Sequence, residues 1–464
     1  MPFYCIPFRS TIKVFRFTTA LMSVIMVSQH WKEAVRMATK KSLQWLRLDN
    51  AAKIYPAARN NNWSNIFRLS ATLTESIDAR VLSKALELTV QRIPSIASRL
   101  RRGLFWYYLE QVPHAPSIRE EASCPLLPMP KWEARKCAFR VIVYNRRIAV
   151  EFFHSLTDGN GGLVFLKTLV AEYLHQKYGI AIEASHGILD CTEAPKPEEM
   201  EDSFLKYAGP VAAGRGEANA FRLSGTPEPD NFRHLVCVQI PVQQILEAAH
   251  KHGVSITTYL CAAMMQAILE IQKAHIPWRR FRKPVKVQIP VDLRRLFPSR
   301  SLRNFALYVN TEADPRLGDY DFHELCMLVH HQMGLKVTQK QMGSQIAANV
   351  QSERSALVRI MPLFLKNIAL KMVFKAVGER KICLSLSNLG RADLPEAMQP
   401  YVERMDFILA PQSTAPHNSG VISYNDTLYF NFIRNIQEPE LEASFCRVLQ
   451  QQGLSILVES NGRI

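Results

Sequence analysis

Two α/β sandwiches with mixed sheets, a mixed α+β arrangement, are what this sequence predicts, on three observations. The chain has 464 residues, beyond the roughly 250–300 at which a single hydrophobic core stops growing. Strand-like and helix-like patterns occur in both halves, with hairpin turns among them. Between the halves, 186–232 changes character: Pro195, Pro197, Pro210, Pro227 and Pro229 mix with acidic residues and glycines, the composition of a linker. The expected organisation is an N-terminal extension over 1–44, a first domain over 45–190, a linker over 191–232 and a second domain over 233–464.

In the first domain, 64–74 (SNIFRLSATLT) alternates, with Phe67, Leu69, Ala71 and Leu73 on one face, as a strand would. Over 79–91, Val81, Leu82, Ala85, Leu86, Leu88 and Val90 recur at helical spacing, and Pro94 should stop that helix. The aromatic run 104–112 (LFWYYLEQV) reads as a strand. So do 137–144 and 148–153, joined through Asn145-Arg146-Arg147 as a hairpin. A helix is expected over 163–177.

In the second domain, a strand over 233–241 leads to a helix over 242–252 that ends at Gly253. Thr257 or Thr258 is the expected cap of the next helix, 259–273. Strands follow over 285–290 and 381–387, and a hairpin turns at Asn425-Asp426 between 421–424 and 427–432. The apolar stretch 356–377 is interrupted by Arg359, Lys366, Lys371 and Lys375. It reads as an amphipathic helical region kinked at Pro362 rather than a membrane span, and allows peripheral membrane contact.

Bulk properties narrow the function. Hydrophobic residues make up 47% and charged residues 21%, an ordinary globular balance. Net charge is +16, which favours anionic partners. The cations lie in short scattered clusters (Arg146-Arg147, Arg279-Arg280, Arg282-Lys283, Arg294-Arg295) with no RNA-binding or zinc-finger signature, so no nucleic-acid partner is expected. The nine cysteines are scattered and include no CxxC pair, which argues against a disulfide framework and a zinc site. Cys261, Cys326 and Cys383 sit in apolar runs as core fillers, and a reducing, cytoplasmic compartment fits. His330-His331 and His417 lack ligand spacing, so no metal site is assigned.

The N-terminal extension holds an apolar stretch, 17–28 (FTTALMSVIMVS), behind Arg9, Lys13 and Arg16, the outline of a signal peptide. No A-x-A site follows, and the stretch is too short to span a bilayer. It is read as a disordered extension or an upstream start, with Met22, Met26 or Met37 as alternatives.

Residues 151–162 (EFFHSLTDGNGG) carry the clearest chemistry. His154 ends an apolar strand, so its ring can be aimed by a fixed backbone. Asp158 follows a turn, where a short carboxylate can take an Arg or backbone N–H groups and lock the loop. Gly159, Gly161 and Gly162 allow positive φ and close approach by another backbone or a ligand. A neutral imidazole held this way can take a proton from a hydroxyl, amine or thiol near pH 7. There is no G-x-S-x-G elbow, and none is needed if the acceptor itself attacks.

FFHSLTDG resembles the HxxxDG signature of the CoA-dependent acyltransferase superfamily, which includes chloramphenicol acetyltransferase, plant BAHD enzymes, wax ester synthases, alcohol acetyltransferases and peptide-synthetase condensation domains. Two further stretches are similar to those proteins in the same order: 285–304 (VKVQIPVDLRRLFPSRSLRN) and 384–390 (LSLSNLG). The start, 46–57 (LRLDNAAKIYPA), resembles bacterial alcohol acetyltransferase-like proteins. The resemblance covers roughly 45–455. One His rather than two precedes the triplet, and the DFGWG segment of BAHD enzymes is absent.

The resemblance implies two chloramphenicol acetyltransferase-like domains with a channel between them. It implies His154 as general base at the channel midpoint, Asp158 as a structural carboxylate with Arg294 as its candidate partner, and Gly159 at the bend. Ser387 and Asn388 could donate to the tetrahedral oxyanion, or simply be strand-end turn residues. Arg282, Lys283 and Lys286 could meet CoA phosphates, or be ordinary surface charge. Phe105, Trp106, Tyr107 and Tyr108 could line an acceptor tunnel, or belong to the core. The implied reaction moves an acyl group from CoA, a co-substrate rather than a bound cofactor, to an alcohol or amine. A condensation-like enzyme using an acyl carrier protein, and a non-catalytic lipid or polyketide binder on the same fold, are the alternatives.

Overall fold

The computed structural model describes residues 44–59, 65–121, 124–210, 217–230, 232–373, 379–412 and 415–462. The expectations for 17–28, for Met22, Met26 and Met37, and for Lys375 fall outside them. The first half runs β1 (Trp45–Arg47), α1 (Ile54–Ala58), β2 (Ile66–Leu73), α2 (Ala79–Arg92), β3 (Ser98–Arg102), β4 (Tyr107–Gln111) and β5 (Arg119–Glu120). It continues with α3 (Lys131–Lys136), β6 (Phe139–Tyr144), β7 (Arg147–Phe153) and α4 (Gly159–Tyr178). A crossing segment carries α5 (Ser203–Tyr207). The second half runs β8 (His234–Pro241), α6 (Val242–Lys251), α7 (Ile256–His275), β9 (Val285–Asp292), β10 (Ala306–Ala313), α8 (Phe322–Lys336) and α9 (Gln339–Arg354). After α10 (Ala356–Ile360) and α11 (Leu363–Val373) come β11 (Leu384–Arg391), β12 (Val402–Leu409), β13 (His417–Tyr424), β14 (Thr427–Arg434), α12 (Glu440–Gln451) and β15 (Leu457–Ser460).

The fold is a mixed α/β one with two large mixed sheets. A five-stranded sheet has the order β12-β2-β7-β6-β5, and a seven-stranded sheet the order β10-β9-β11-β13-β14-β8-β15. A small sheet, β1-β4-β3, flanks the first. Each large sheet covers its own apolar core. The two halves also exchange structure. Strand β12 leaves the second half and pairs antiparallel with β2, Phe407 opposite Leu69, so the first sheet is completed by residues more than 300 positions away.

Strand β2 shows why the halves meet. Its Phe67 and Leu69 stand against Gly162 of α4. The other face carries Arg68, which is also buried and is satisfied by ion pairs to Glu121 and Glu151. The crossing segment is anchored rather than loose: Arg92 and Glu199 form a buried bidentate pair, and Phe204 is fully buried against Phe305.

Several sequence expectations change. Leu104, Phe105 and Trp106 are not strand; they form the turn between β3 and β4, closed by Gly103 N–H donating to Trp106 O at 2.9 Å. The cap of α7 is Ser255, which accepts from Thr258 N–H, rather than Thr257 or Thr258. Helix α4 starts at Gly159, four residues earlier than its apolar run suggests, because Asp158 caps it. Strand β11 extends to Arg391, so Ser387 and Asn388 lie inside it rather than in a strand-end turn. Arg282 is buried and donates to Ile276 O and Pro277 O, and Lys286 is buried and paired to Glu312; neither is placed to meet a phosphate. Among the described residues, no single helix is long and apolar enough to cross a membrane.

Candidate active site

His154 follows the last residue of β7, the central strand of the first sheet, and its backbone N–H donates to Asn65 O at 2.8 Å. The ring is sandwiched. Tyr55 of α1 stacks on it at 4.7 Å between centroids, and Phe67 of β2 meets it edge-on at 5.1 Å. Burial among these rings lowers the imidazole pKa below its ordinary 6.5, since the cation would be poorly solvated there. The group is therefore neutral at pH 7.

Which ring nitrogen is free follows from a hydrogen-bond chain. Asn304 Oδ1 lies 3.1 Å from His154 Nδ1. Asn304 Nδ2 donates to Asp49 Oδ2 at 3.2 Å, and Asp49 Oδ1 accepts Ala52 N–H at 2.7 Å. A carboxylate only accepts, so it takes the NH2 end of the amide and turns Asn304 Oδ1 toward the ring. The proton then sits on Nδ1, and Nε2 keeps its lone pair. Asp49 is fully buried, and desolvation pushes its pKa up to about 6, against the opposing pull of Arg303.

Asp158 does not touch this chain; it builds the loop that carries it. Its Oδ1 accepts Gly161 N–H at 3.0 Å and so caps α4. Its Oδ2 accepts from Arg294 Nη1 and from Phe305 N–H, each at 2.8 Å. Arg294 in turn donates to Ser301 O and Arg303 O at 3.0 and 2.6 Å. Thr157 Oγ1 donates to Leu302 O at 2.6 Å. Together these contacts grip 301–305 on both sides of Asn304, so the Asp158–Arg294 pair sets the position of the residue that orients His154.

The glycines serve this close approach, and not through positive φ as the sequence suggested. None of Gly159, Gly161 and Gly162 has a left-handed φ. A Cβ on Gly161 would lie 2.2 Å from Leu302 O and from Thr157 Oγ1, one on Gly162 2.9 Å from Phe67, and one on Gly159 2.6 Å from Leu389. Gly159 is the first residue of α4 rather than a bend.

His154 opens into a cavity of about 350 Å³ between the two large sheets. The first half contributes Tyr55, Ile66 and Phe67, and the second contributes Leu307, Ser387 and Phe407, among others. Among the described residues, no Lys or Arg lines it. A larger cavity, about 680 Å³, lies at the other end of β7 around Arg147 and Arg404, away from His154. Its charges are engaged with one another, as in Arg147–Glu121 and Arg404–Asp406, so the smaller cavity is the candidate site.

Of the residues singled out from sequence, His154, Asp158, Gly159 and Ser387 reach the small cavity. Arg294 lies behind it, on Asp158. Asn388 does not line it; its side chain accepts from Gly390 N–H and donates to Thr257 Oγ1. Phe105, Trp106, Tyr107 and Tyr108 do not line it either. Asp49 and Asn304 stood inside the quoted stretches without a role, because their meeting spans 255 residues of sequence. The available signals were the Asn that follows P-V-D-L-R at the end of 285–304 and an Asp just before an apolar run.

The sequence matches no family model and no curated protein. Solved structures share its fold. Polyketide synthase associated protein 5 from Mycobacterium tuberculosis aligns with a TM-score of 0.55 and 14% identity, over 88% of this chain and 97% of that one. The first condensation domain of the CDA synthetase aligns with a TM-score of 0.56 and 13% identity, over 90% and 100%. A trichothecene 15-O-acetyltransferase from Fusarium sporotrichioides aligns with a TM-score of 0.57 and 11% identity, over 89% and 95%. The fold is thus that of condensation domains and chloramphenicol acetyltransferase-like proteins.

Proposed function

We propose that this chain is an acyltransferase that moves an acyl group from CoA to an alcohol or amine, with His154 Nε2 as the general base. The observation that carries the reading is the Asp49–Asn304–His154 hydrogen-bond chain, which engages Nδ1 of a histidine that lines a cavity between the halves. His154 takes the proton from the acceptor's O–H or N–H as that atom attacks the thioester carbonyl. The C–S bond then breaks, the ester or amide bond is complete, and the proton passes from His154 to the leaving thiolate. General bases of this kind contribute about 10²- to 10⁴-fold. Ser387 lines the same cavity and is assigned as a donor to the oxyanion. A lining without Lys or Arg among the described residues fits a neutral acyl chain and an uncharged acceptor. Asp158 and Arg294 act as positioning residues.

A second reading, transfer from an acyl carrier protein, is favoured by the net charge of +16, which suits an acidic carrier, and by the condensation domains among the structural neighbours. Non-catalytic binding on the same fold is a third. The test is thiol release from a series of acyl-CoAs with a panel of alcohols and amines, wild type beside His154→Ala. Acceptor-dependent release that the variant loses supports the first reading. No release from any acyl-CoA by folded protein overturns it; release from a loaded carrier would then support the second reading, and tight acyl binding without turnover the third.

A further inference from the structure

Helix α11 is held on one side and bare on the other. Leu363 N–H donates to Leu104 O at 3.0 Å, and the buried Lys366 Nζ donates to Phe105 O at 3.0 Å while its ammonium lies 3.6 Å from the centre of the Trp106 ring. Asn367 Nδ2 donates to Tyr107 OH at 3.1 Å. These contacts fix the helix on the β3–β4 turn. They leave Phe364, Ile368 and Met372, spaced four apart, 56%, 57% and 63% exposed. Ile360 before the helix and Leu104 beside it extend the face, at 69% and 74% exposed. Contiguous apolar surface of this kind on a folded protein marks an interaction site.

Charge points to the occupant. From 356 to 373 the chain has Arg359, Lys366 and Lys371 and no Asp or Glu. Arg359 and Lys371 are exposed at the flanks, and Arg102 is exposed beside the turn. An apolar helical face whose own exposed charged residues, Arg359 and Lys371, are both cations is the pattern that lies in the interface of an anionic bilayer.

Position links this face to the site. Val373, the last residue of α11, lines the cavity that holds His154. The helix also packs against α1, whose Tyr55 stacks on the His154 ring. We infer that α11 and the β3–β4 turn dock the protein on an anionic phospholipid surface, which brings the Val373 side of the cavity toward the lipid, so that a lipophilic substrate enters from the bilayer. Docking itself is independent of the acyltransferase reading; only the entry of substrate rests on it.

Flotation of the full-length protein with phosphatidylcholine vesicles, with and without phosphatidylglycerol, tests this. The wild type is expected to float with the anionic vesicles and far less with the neutral ones. Arg359→Gln/Lys371→Gln should weaken binding about thirtyfold at low salt, from roughly 1 kcal/mol per surface cation. Phe364→Ser/Ile368→Ser should abolish it. Circular dichroism and thermal unfolding should match the wild type for both variants, and His154→Ala should float like the wild type, which separates docking from chemistry. Absence of flotation, or flotation unchanged in both variants, overturns the inference. So does concentration-dependent dimerisation without vesicles that Phe364→Ser/Ile368→Ser removes, which would mean that a second copy covers the face.

Discussion

Replacing Asp49 with asparagine is the sharpest test of how His154 is oriented. The change is nearly isosteric, and the new amide oxygen can still accept Ala52 N–H, which now binds Asp49 at 2.7 Å. The amide then presents an NH2 to Asn304, where the wild type presents a carboxylate oxygen 3.2 Å away. Two NH2 groups cannot face each other, so the Asn304 amide turns over. Its Nδ2 would point at His154 Nδ1, the proton would move to Nε2, and the base would lose its lone pair. A hydrogen bond of this kind contributes about 1 to 1.5 kcal/mol. Reversing it changes the tautomer balance by about 2 to 3 kcal/mol, or roughly 30- to 150-fold in kcat. Adding Asn304→Asp restores the order of acceptors: the amide introduced at position 49 donates to the carboxylate introduced at position 304, whose other oxygen accepts Nδ1–H. The assay is steady-state thiol release at pH 8 for the wild type, both single variants and the double variant. The reasoning fails if Asp49→Asn stays within about threefold of the wild type, or if the double variant is no faster than either single one.

Further outcomes follow from the same geometry. His154→Ala should lower kcat about 10²- to 10⁴-fold while the fold survives, with a stability loss of about 1 to 3 kcal/mol because Asn304 Oδ1 loses its partner and the ring leaves the space between Tyr55 and Phe67. Asp158→Ala removes the partner of a partly buried Arg294; Asp292, 3.0 Å away, offsets part of that, so a loss of about 3 kcal/mol in denaturant unfolding is expected, together with a fall in kcat. The acid limb of kcat/KM should lie below pH 6.5, since burial lowers the His154 pKa, with activity present above the limb and lost as pH falls through it. Asp49 has the opposite sign for stability. Its folded pKa of about 6 exceeds the unfolded 3.8, so its contribution is full below the unfolded value and is lost as pH rises through about 6, a change of about 3 kcal/mol that Asp49→Asn should remove from the stability–pH curve. Gly161→Ala should destabilise by about 1 to 3 kcal/mol or more, because the added methyl meets Leu302 O at 2.2 Å.

Much of the fold was legible because it is written in local pattern. The alternation Phe67-Leu69-Ala71-Leu73 located β2, the turn at Asn145 located the β6–β7 hairpin, and the break at Pro362 separates α10 from α11 as expected. The aromatic run 104–112 misled for a physical reason: its first residues form a turn whose apolar side chains face outward, and periodicity records hydrophobicity without recording what will cover it. Strand β12 had no local signal for its place in the first sheet, because pairing with β2 is a non-local hydrogen-bonding choice.

The site divides the same way. By itself the sequence determined the candidate base, His154, and the carboxylate Asp158, since a His at a strand end before a capping Asp and a glycine-rich helix start is a local arrangement. The pairing of Asp158 with Arg294 came from the family resemblance, and the structure shows it at 2.8 Å. Only the tertiary structure decided that Asp49, Asn304 and His154 form one chain through the ring's Nδ1, and that α11 carries an exposed apolar face while its last residue, Val373, lines the cavity. Those properties depend on distances between residues far apart in sequence, and on which surfaces remain uncovered once both cores are filled.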